Sequence, residues 1–377
     1  MKTSILRALL ALSALFITAQ AIWNPVISGF NPNPAILRVG EDYYIATPSF
    51  EYWPGMLIYH SKDLSNWTLI SHALTRPEQL QLYGVPTGAG AWAPSLAYFK
   101  GKFWLSGMTR WTYDPQPASG RGCGGTDELH RASIARGKSP SGPFEPCPHN
   151  PLMYNGQWGA TNLTVQSTGH ATFVEAADGA WYASFIAPRN VNGSSPLGRE
   201  TFLAEVTWQD DWPIINHGKP ILLSEEVGPK MGSKPTPAPW TDDFSGKELD
   251  PSWSLLRTPY ATTYDIYNGR LVFRPSVFGL GDREHPAAVL RKQTSLNMTF
   301  SADFWRRPLN ASGAIPGGRK LHIRAEPLVY RLGYSFGGDE PTYVAEVESR
   351  WQAFAPAGHF VFKGASFALF ATGEREP

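Results

Sequence analysis

One hairpin, written three times, constrains this chain more than any other feature. Ala35–Val39 is a short apolar strand, Gly40-Glu41-Asp42 a turn, and Tyr43–Thr47 an aromatic strand. A near-copy runs from Pro94 to Ser106, and a third from His170 to Ser184. Each is followed by a further strand-like segment: Leu57–Trp67, Ile134–Phe144 and Phe202–Trp212. An inner hairpin with outer strands, recurring at a long period, predicts the blades of a β-propeller. The innermost strands of a propeller line a central channel. The residues that open each hairpin, Asn33, Ala93 and Gly169-His170, are therefore expected to crowd one funnel, the natural place for a ligand.

The grammar is also incomplete. The hairpin copies at Pro94 and His170 are each whole, but the outer segment at Ile134 has no inner hairpin of its own before it. At roughly 40–45 residues per blade, one to two blades are expected to be missing.

Lys plus Arg number 33 against 32 for Asp plus Glu, and no basic run stands out. This charge balance excludes nucleic acid and an anionic membrane surface as partners. The 14 Trp fit either a large aromatic core or flat faces that stack on sugar rings.

Residues 1–21 carry a basic start, an apolar run from Ala8 to Ile17 and a small-x-small end at Ala19-Gln20-Ala21. That is the pattern of a secretory signal peptide, with cleavage expected after Ala21 and no second apolar stretch able to span a bilayer. Five sequons, at Asn66, Asn162, Asn192, Asn297 and Asn310, are compatible with N-glycosylation on that route. The two cysteines, Cys123 and Cys147, could pair in an oxidising compartment. The loop of about 25 residues so closed would contribute roughly 3 kcal/mol.

From residue 22 to 227 the hairpin grammar holds. Residues 228–239, with four prolines, read as a linker. Residues 240–377 then carry short alternating segments, such as Arg270–Arg274 and Phe360–Ala371, without amphipathic helices, which predicts a β-sandwich. A polar Gly/Pro-rich stretch stands from Arg306 to Glu326 where strands are expected.

The ordered motifs resemble a known family. Asn31–Thr47, Phe50–Gly55, His60–Trp67, Trp92-Ala93-Pro94, Gly142–Pro151, Thr168–His170 and Leu197–Phe202 together are similar to glycoside hydrolase family 43. Within it, they resemble the fungal β-xylosidases and α-L-arabinofuranosidases that carry a C-terminal β-sandwich. The resemblance implies an all-β chain: a five-bladed propeller, incomplete here, followed by the sandwich. It also implies inverting hydrolysis of terminal pentoses from plant cell-wall oligosaccharides of the xylan and arabinan type.

Inverting hydrolysis needs one carboxylate to activate water and one carboxylic acid to protonate the leaving oxygen, roughly 6.5–9.5 Å apart. By the resemblance, the base is the Asp of a Pro-Asp-Pro motif, and that position is Asn33 here. An amide can hold a water but cannot take its proton. The acid, a Glu in a Glu-Gly-Pro motif, has no counterpart in the sequence. Asp114, Asp127 and Glu128 flank the gap and could replace it, or they are solvated loop charges. Arg199 is expected to reach substrate hydroxyls, with Glu200 holding it. Phe50, Trp53 and Trp92 are expected to form an aromatic wall, with Glu51 supporting it. His170 matches a channel histidine associated with a hydrated cation, so that Ca2+ is an optional ligand and no cofactor is required. Three accounts stay open: an active exo-glycosidase with substitute carboxylates, a non-catalytic pentose binder, and a truncated product of a normal enzyme.

Overall fold

A computed structural model describes residues 22–111, 130–155, 163–224, 239–304, 318–351 and 363–373. Every element of any length among them is a strand, the exceptions being short 3-10 turns. No helix among them is long and apolar enough to cross a membrane.

The expected hairpins form, and their turn chemistry explains their registers. β1 (Ala35–Val39) pairs antiparallel with β2 (Asp42–Thr47), Val39 opposite Asp42, so that Gly40-Glu41 is a two-residue loop. Gly40 has φ +63°, the left-handed conformation that the first position of a II′ turn requires. β6 (Gly90–Phe99) and β7 (Lys102–Arg110) turn through Lys100-Gly101, both with positive φ, the I′ turn that matches strand twist. β10 (Gly169–Glu175) and β11 (Trp181–Pro188) close through a five-residue loop.

Blades grow outward from these hairpins. β2 pairs on with β4 (Gly55–Ser61) and β4 with β5 (Thr68–Leu74), giving a four-stranded sheet in the order β1-β2-β4-β5. β11 pairs on with β12 (Arg199–Gln209) and β12 with β13 (Trp212–Ile215), giving β10-β11-β12-β13. Between them stand two two-stranded pieces, β6-β7 and β8 (Ala135–Gly137) with β9 (Phe144–Pro146). Apolar side chains at alternate positions bury the blade faces: Ile45, Leu57 and Tyr59 pack with Val174 and Leu203, and Phe185 with Phe202 and Val206. The chain start locks the first blade to the last. Ile27 and Thr201 exchange backbone hydrogen bonds, and the Asn24 amide bonds Leu203 in both directions.

The C-terminal part is a sandwich of short strands. β14 (Trp253–Leu256), β17 (Ala288–Lys292) and β22 (Ser366–Phe370) form one sheet, and β18 to β21 (Met298–Phe304, Arg319–Ala325, Val329–Phe336, Thr342–Glu348) another. β15 (Tyr264–Ile266) pairs with β16 (Leu271–Phe273), the strand expected within 270–274. One expectation is corrected here. Arg319–Ala325 is a full strand between two partners, its buried His322 bonding Ser301 on one neighbouring strand and Ser335 on the other.

The two parts share a sheet. β3, only Tyr52-Trp53, pairs with Leu255-Leu256 of β14 and so adds a propeller strand to the sandwich. Trp53 is thereby buried with Leu80, Leu82, Val85, Trp253, Leu255 and Val289 in a core that belongs to both.

Candidate functional site

The funnel gathers residues that are far apart in sequence. Asn33 lies just before β1, Ala93 within β6 and His170 at the start of β10, and all three have positive φ, at +45°, +25° and +54°. Such backbone is costly for residues with a Cβ and persists where the surroundings over-determine it, as at functional sites. At Ala93 the cause is local. Pro94 has no N–H to give the ladder, and the β6-β7 register shifts between Trp92 and Ser95.

Arg199, the first residue of β12, lies beside the segment that leads into β1, its carbonyl accepting from Asn31 N at 3.0 Å. Its Nη1 donates to Asn33 Oδ1 at 3.1 Å, and both side chains are buried. The guanidinium lies over the Phe50 ring, 5.7 Å from its centroid. Phe50 in turn contacts Phe30 at 5.2 Å and Trp92 at 5.5 Å between ring centroids, and Arg110 lies 5.0 Å over Trp92. Trp92 Nε1 donates to the Gly88 carbonyl, which fixes the indole plane. The structure thus brings together Asn33, Arg199, Phe50 and Trp92, as the sequence motifs require.

His170 joins them from β10, on the same blade as Arg199, with its side chain open to solvent. The surrounding wall partly desolvates the imidazole, and Arg199 and then His130 add positive charge nearby, so its pKa lies well below the ordinary histidine value. It is neutral at pH 7. His130 was not anticipated: its Nδ1 bonds the Ser167 carbonyl at 2.8 Å beneath the start of β10. A Cβ on Gly169 would lie 2.4 Å from the His130 ring, so only glycine lets the His130 side chain lie against the start of β10. That pairing has no local sequence signature.

Three expectations change. Trp53 is no part of the wall; it sits in the shared core, 5% exposed, because β3 turns it toward the sandwich. Phe50 is itself only 1% exposed and acts as a floor under Arg199 and Trp92 rather than an open face. Glu200 does not hold Arg199. Alternation along β12 turns it to the other face, where both its oxygens bond Arg189, at 2.6 and 2.9 Å, and Gly29 N. Glu51 binds Lys363 of the sandwich at 2.6 Å and is fully buried. Asp114, Asp127, Glu128 and Cys123 lie outside the described residues; Cys147 is a buried free thiol.

Ca2+ takes 6–8 oxygen ligands, several of them carboxylates. Among the described residues no three His, Cys, Asp or Glu side chains converge, and Arg199 stands beside His170. Among the described residues the hydroxyls of Thr47, Ser49 and Thr168 are buried without partners, but neutral hydroxyls without carboxylates do not make a calcium cage. The described residues do not fit directly ligated Ca2+.

Comparison with known proteins identifies the lineage. The family model for glycosyl hydrolases family 43 matches residues 22–120 and 118–213, and a beta xylosidase C-terminal concanavalin A-like domain matches residues 241–314. The first match falls in two pieces that meet where the repeat grammar breaks. A xylosidase/arabinosidase of Humicola insolens is 55% identical over 386 residues, covering 74% of this chain and 70% of the relative. About 280 residues of this chain are therefore spread over those 386 positions, and the roughly one hundred left unmatched equal about two blades. A non-reducing end alpha-L-arabinofuranosidase of Bacteroides ovatus is 32% identical over 372 residues, covering 74% and 70%. Among solved structures, a Bacteroides ovatus protein described as xyloglucan PUL GH43B superposes with a TM-score of 0.78 at 26% identity, covering 93% of this chain and 96% of that one. The chain belongs to glycosyl hydrolases family 43.

Proposed function

We propose that this chain is a secreted family-43 protein that binds a terminal xylose or arabinose in its funnel and hydrolyses glycosides slowly or not at all. The observation that carries this is Asn33. It stands where the family's base belongs, and its Oδ1 is occupied by Arg199 Nη1. An amide oxygen so held can neither be ionised nor accept a proton from water near neutral pH. The acid motif is absent from the sequence, and the two-piece family match supports the loss of the segment that would carry it. General acid–base catalysis by one positioned group is worth about 10²–10⁴-fold, so losing both leaves binding as the main residue of function.

Recognition would rest on Arg199, with Trp92 as the partly open aromatic face and His170 as a neutral hydrogen-bonding group. Secretion follows from residues 1–21, and Asn66, Asn192 and Asn297 are exposed sequons that could be glycosylated on that route. The split match also favours a second reading, a shortened product of a normal gene, which would restore the acid but not an Asp at position 33.

The test is hydrolysis of chromogenic aryl β-D-xyloside and α-L-arabinofuranoside by purified protein, beside an Asn33→Asp variant. Silence from both, with circular dichroism confirming strands and calorimetry detecting xylobiose or arabinobiose, supports the reading. Turnover by the wild-type chain that is lost in Asp114→Asn or Glu128→Gln would overturn it.

A further inference from the structure

Three consecutive residues of the sandwich touch both sides of the funnel. Lys363 Nζ forms an ion pair with Glu51 Oε1 at 2.6 Å, directly behind Phe50. The backbone of Gly364 presses on the loop before Arg199, so closely that a Cβ there would lie 2.2 Å from the Leu197 carbonyl oxygen. Ala365 N donates to the Pro196 carbonyl at 2.7 Å, and Ala365 O accepts from Gln293 N at 3.1 Å, which ties the segment to the sandwich. The contact is reciprocal: Gly198 has φ +67°, and a Cβ on it would meet Gly364 N at 2.6 Å.

Glu51 is held on every side. Its Oε2 accepts from Gly88 N at 3.2 Å and its carbonyl from Arg257 N at 2.8 Å. Phe50, one residue earlier, exchanges two backbone hydrogen bonds with Ala91. A displacement of Lys363 is therefore felt at Phe50, and a displacement of Gly364 at Arg199.

We propose that Lys363–Ala365 is a clamp by which the sandwich sets the spacing between the Phe50 floor and Arg199, making Lys363 and Gly364 positioning residues of the funnel. Its relevance to sugar rests on the pentose reading above; the clamp itself does not.

The test is amide hydrogen exchange on the full chain, read by mass spectrometry, with cross-effects as the criterion. Gly364→Ala strikes the Leu197 side, and Glu51→Gln removes the ion pair on the Phe50 side with little change of shape. A shared clamp predicts that each variant speeds exchange at the far side, residues 196–201 for Glu51→Gln and 49–53 for Gly364→Ala. The expected factor is at least about fivefold, with peptides of β11 within about twofold of wild type. If each variant changes only its own side, or exchange rises uniformly over the molecule, the clamp is overturned. Calorimetric titration with xylobiose and arabinobiose adds a separate arm: affinity falling in both variants extends the clamp to ligand binding. A wild-type chain that binds neither sugar refutes the pentose reading, while the exchange result still decides the clamp.

Discussion

Replacing Glu200 by Gln is expected to be among the most damaging single changes in the propeller, although the shapes of the two side chains are nearly the same. Glu200 is fully buried, and its two oxygens accept three hydrogen bonds: Arg189 Nε at 2.6 Å, Arg189 Nη2 at 2.9 Å and Gly29 N at 2.7 Å. A glutamine has one acceptor oxygen, so its NH2 must face a donor, and the charge that balances Arg189 is gone. Breaking a buried pair from one side typically costs about 3–5 kcal/mol. Removing both partners in Arg189→Met/Glu200→Leu takes the acceptor from Gly29 N–H, about 1–3 kcal/mol, but leaves no unpaired buried charge. The double variant should therefore be more stable than Glu200→Gln. Scanning calorimetry of the wild type, both single variants and the double gives the comparison, with pentose binding followed in parallel. A Glu200→Gln loss below about 1 kcal/mol, or a variant that keeps its stability but loses ligand affinity, would refute the assignment and return Glu200 to Arg199.

Trp53→Ala should cost about 3–5 kcal/mol in thermal unfolding, the range for large aromatics in a core. A variant of full stability with impaired sugar binding would instead make it a wall residue. Gly169→Ala should destabilise by about 1–3 kcal/mol through overpacking on His130, and His130→Ala in the same chain should recover most of it. Burial pushes the Lys292 amine down to about 7, and it faces Asn31, which it bonds at 2.9 Å, together with Tyr59 on that same oxygen and His72. Between pH 7 and the unfolded value the unfolded chain holds more protons, so the penalty is complete below about pH 7 and fades as pH rises. Lys292→Met should thus gain roughly 2 kcal/mol at pH 7, allowing for the lost Asn31 bond. The gain should shrink by pH 9.5; a pH-independent gain in denaturant titrations would exclude this origin.

The strands and the funnel's membership were legible because both rest on local chemistry. Gly40 and Lys100-Gly101 specify primed turns, alternation fixes which side chains are buried, and Pro94 marks its own irregularity. Asn33, Arg199, Phe50 and Trp92 carry motif context, and they do meet. Partners chosen across the fold were not legible. The sequence places Glu200 beside Arg199, but strand alternation sends neighbours to opposite faces, and only the packed sheet supplies Arg189. It places Trp53 beside Phe50, yet β3 leaves the propeller to pair with Leu255-Leu256.

The sequence by itself determined an all-β repeat architecture and an amide rather than a carboxylate at position 33, because turn residues and side-chain identity act within a few residues of themselves. Tertiary structure alone decided what each buried charge faces and that the sandwich grips the funnel from behind. Those contacts join Glu51 to Lys363 and Leu197 to Gly364 across most of the chain, and their energies depend on desolvation and close packing that no local pattern encodes.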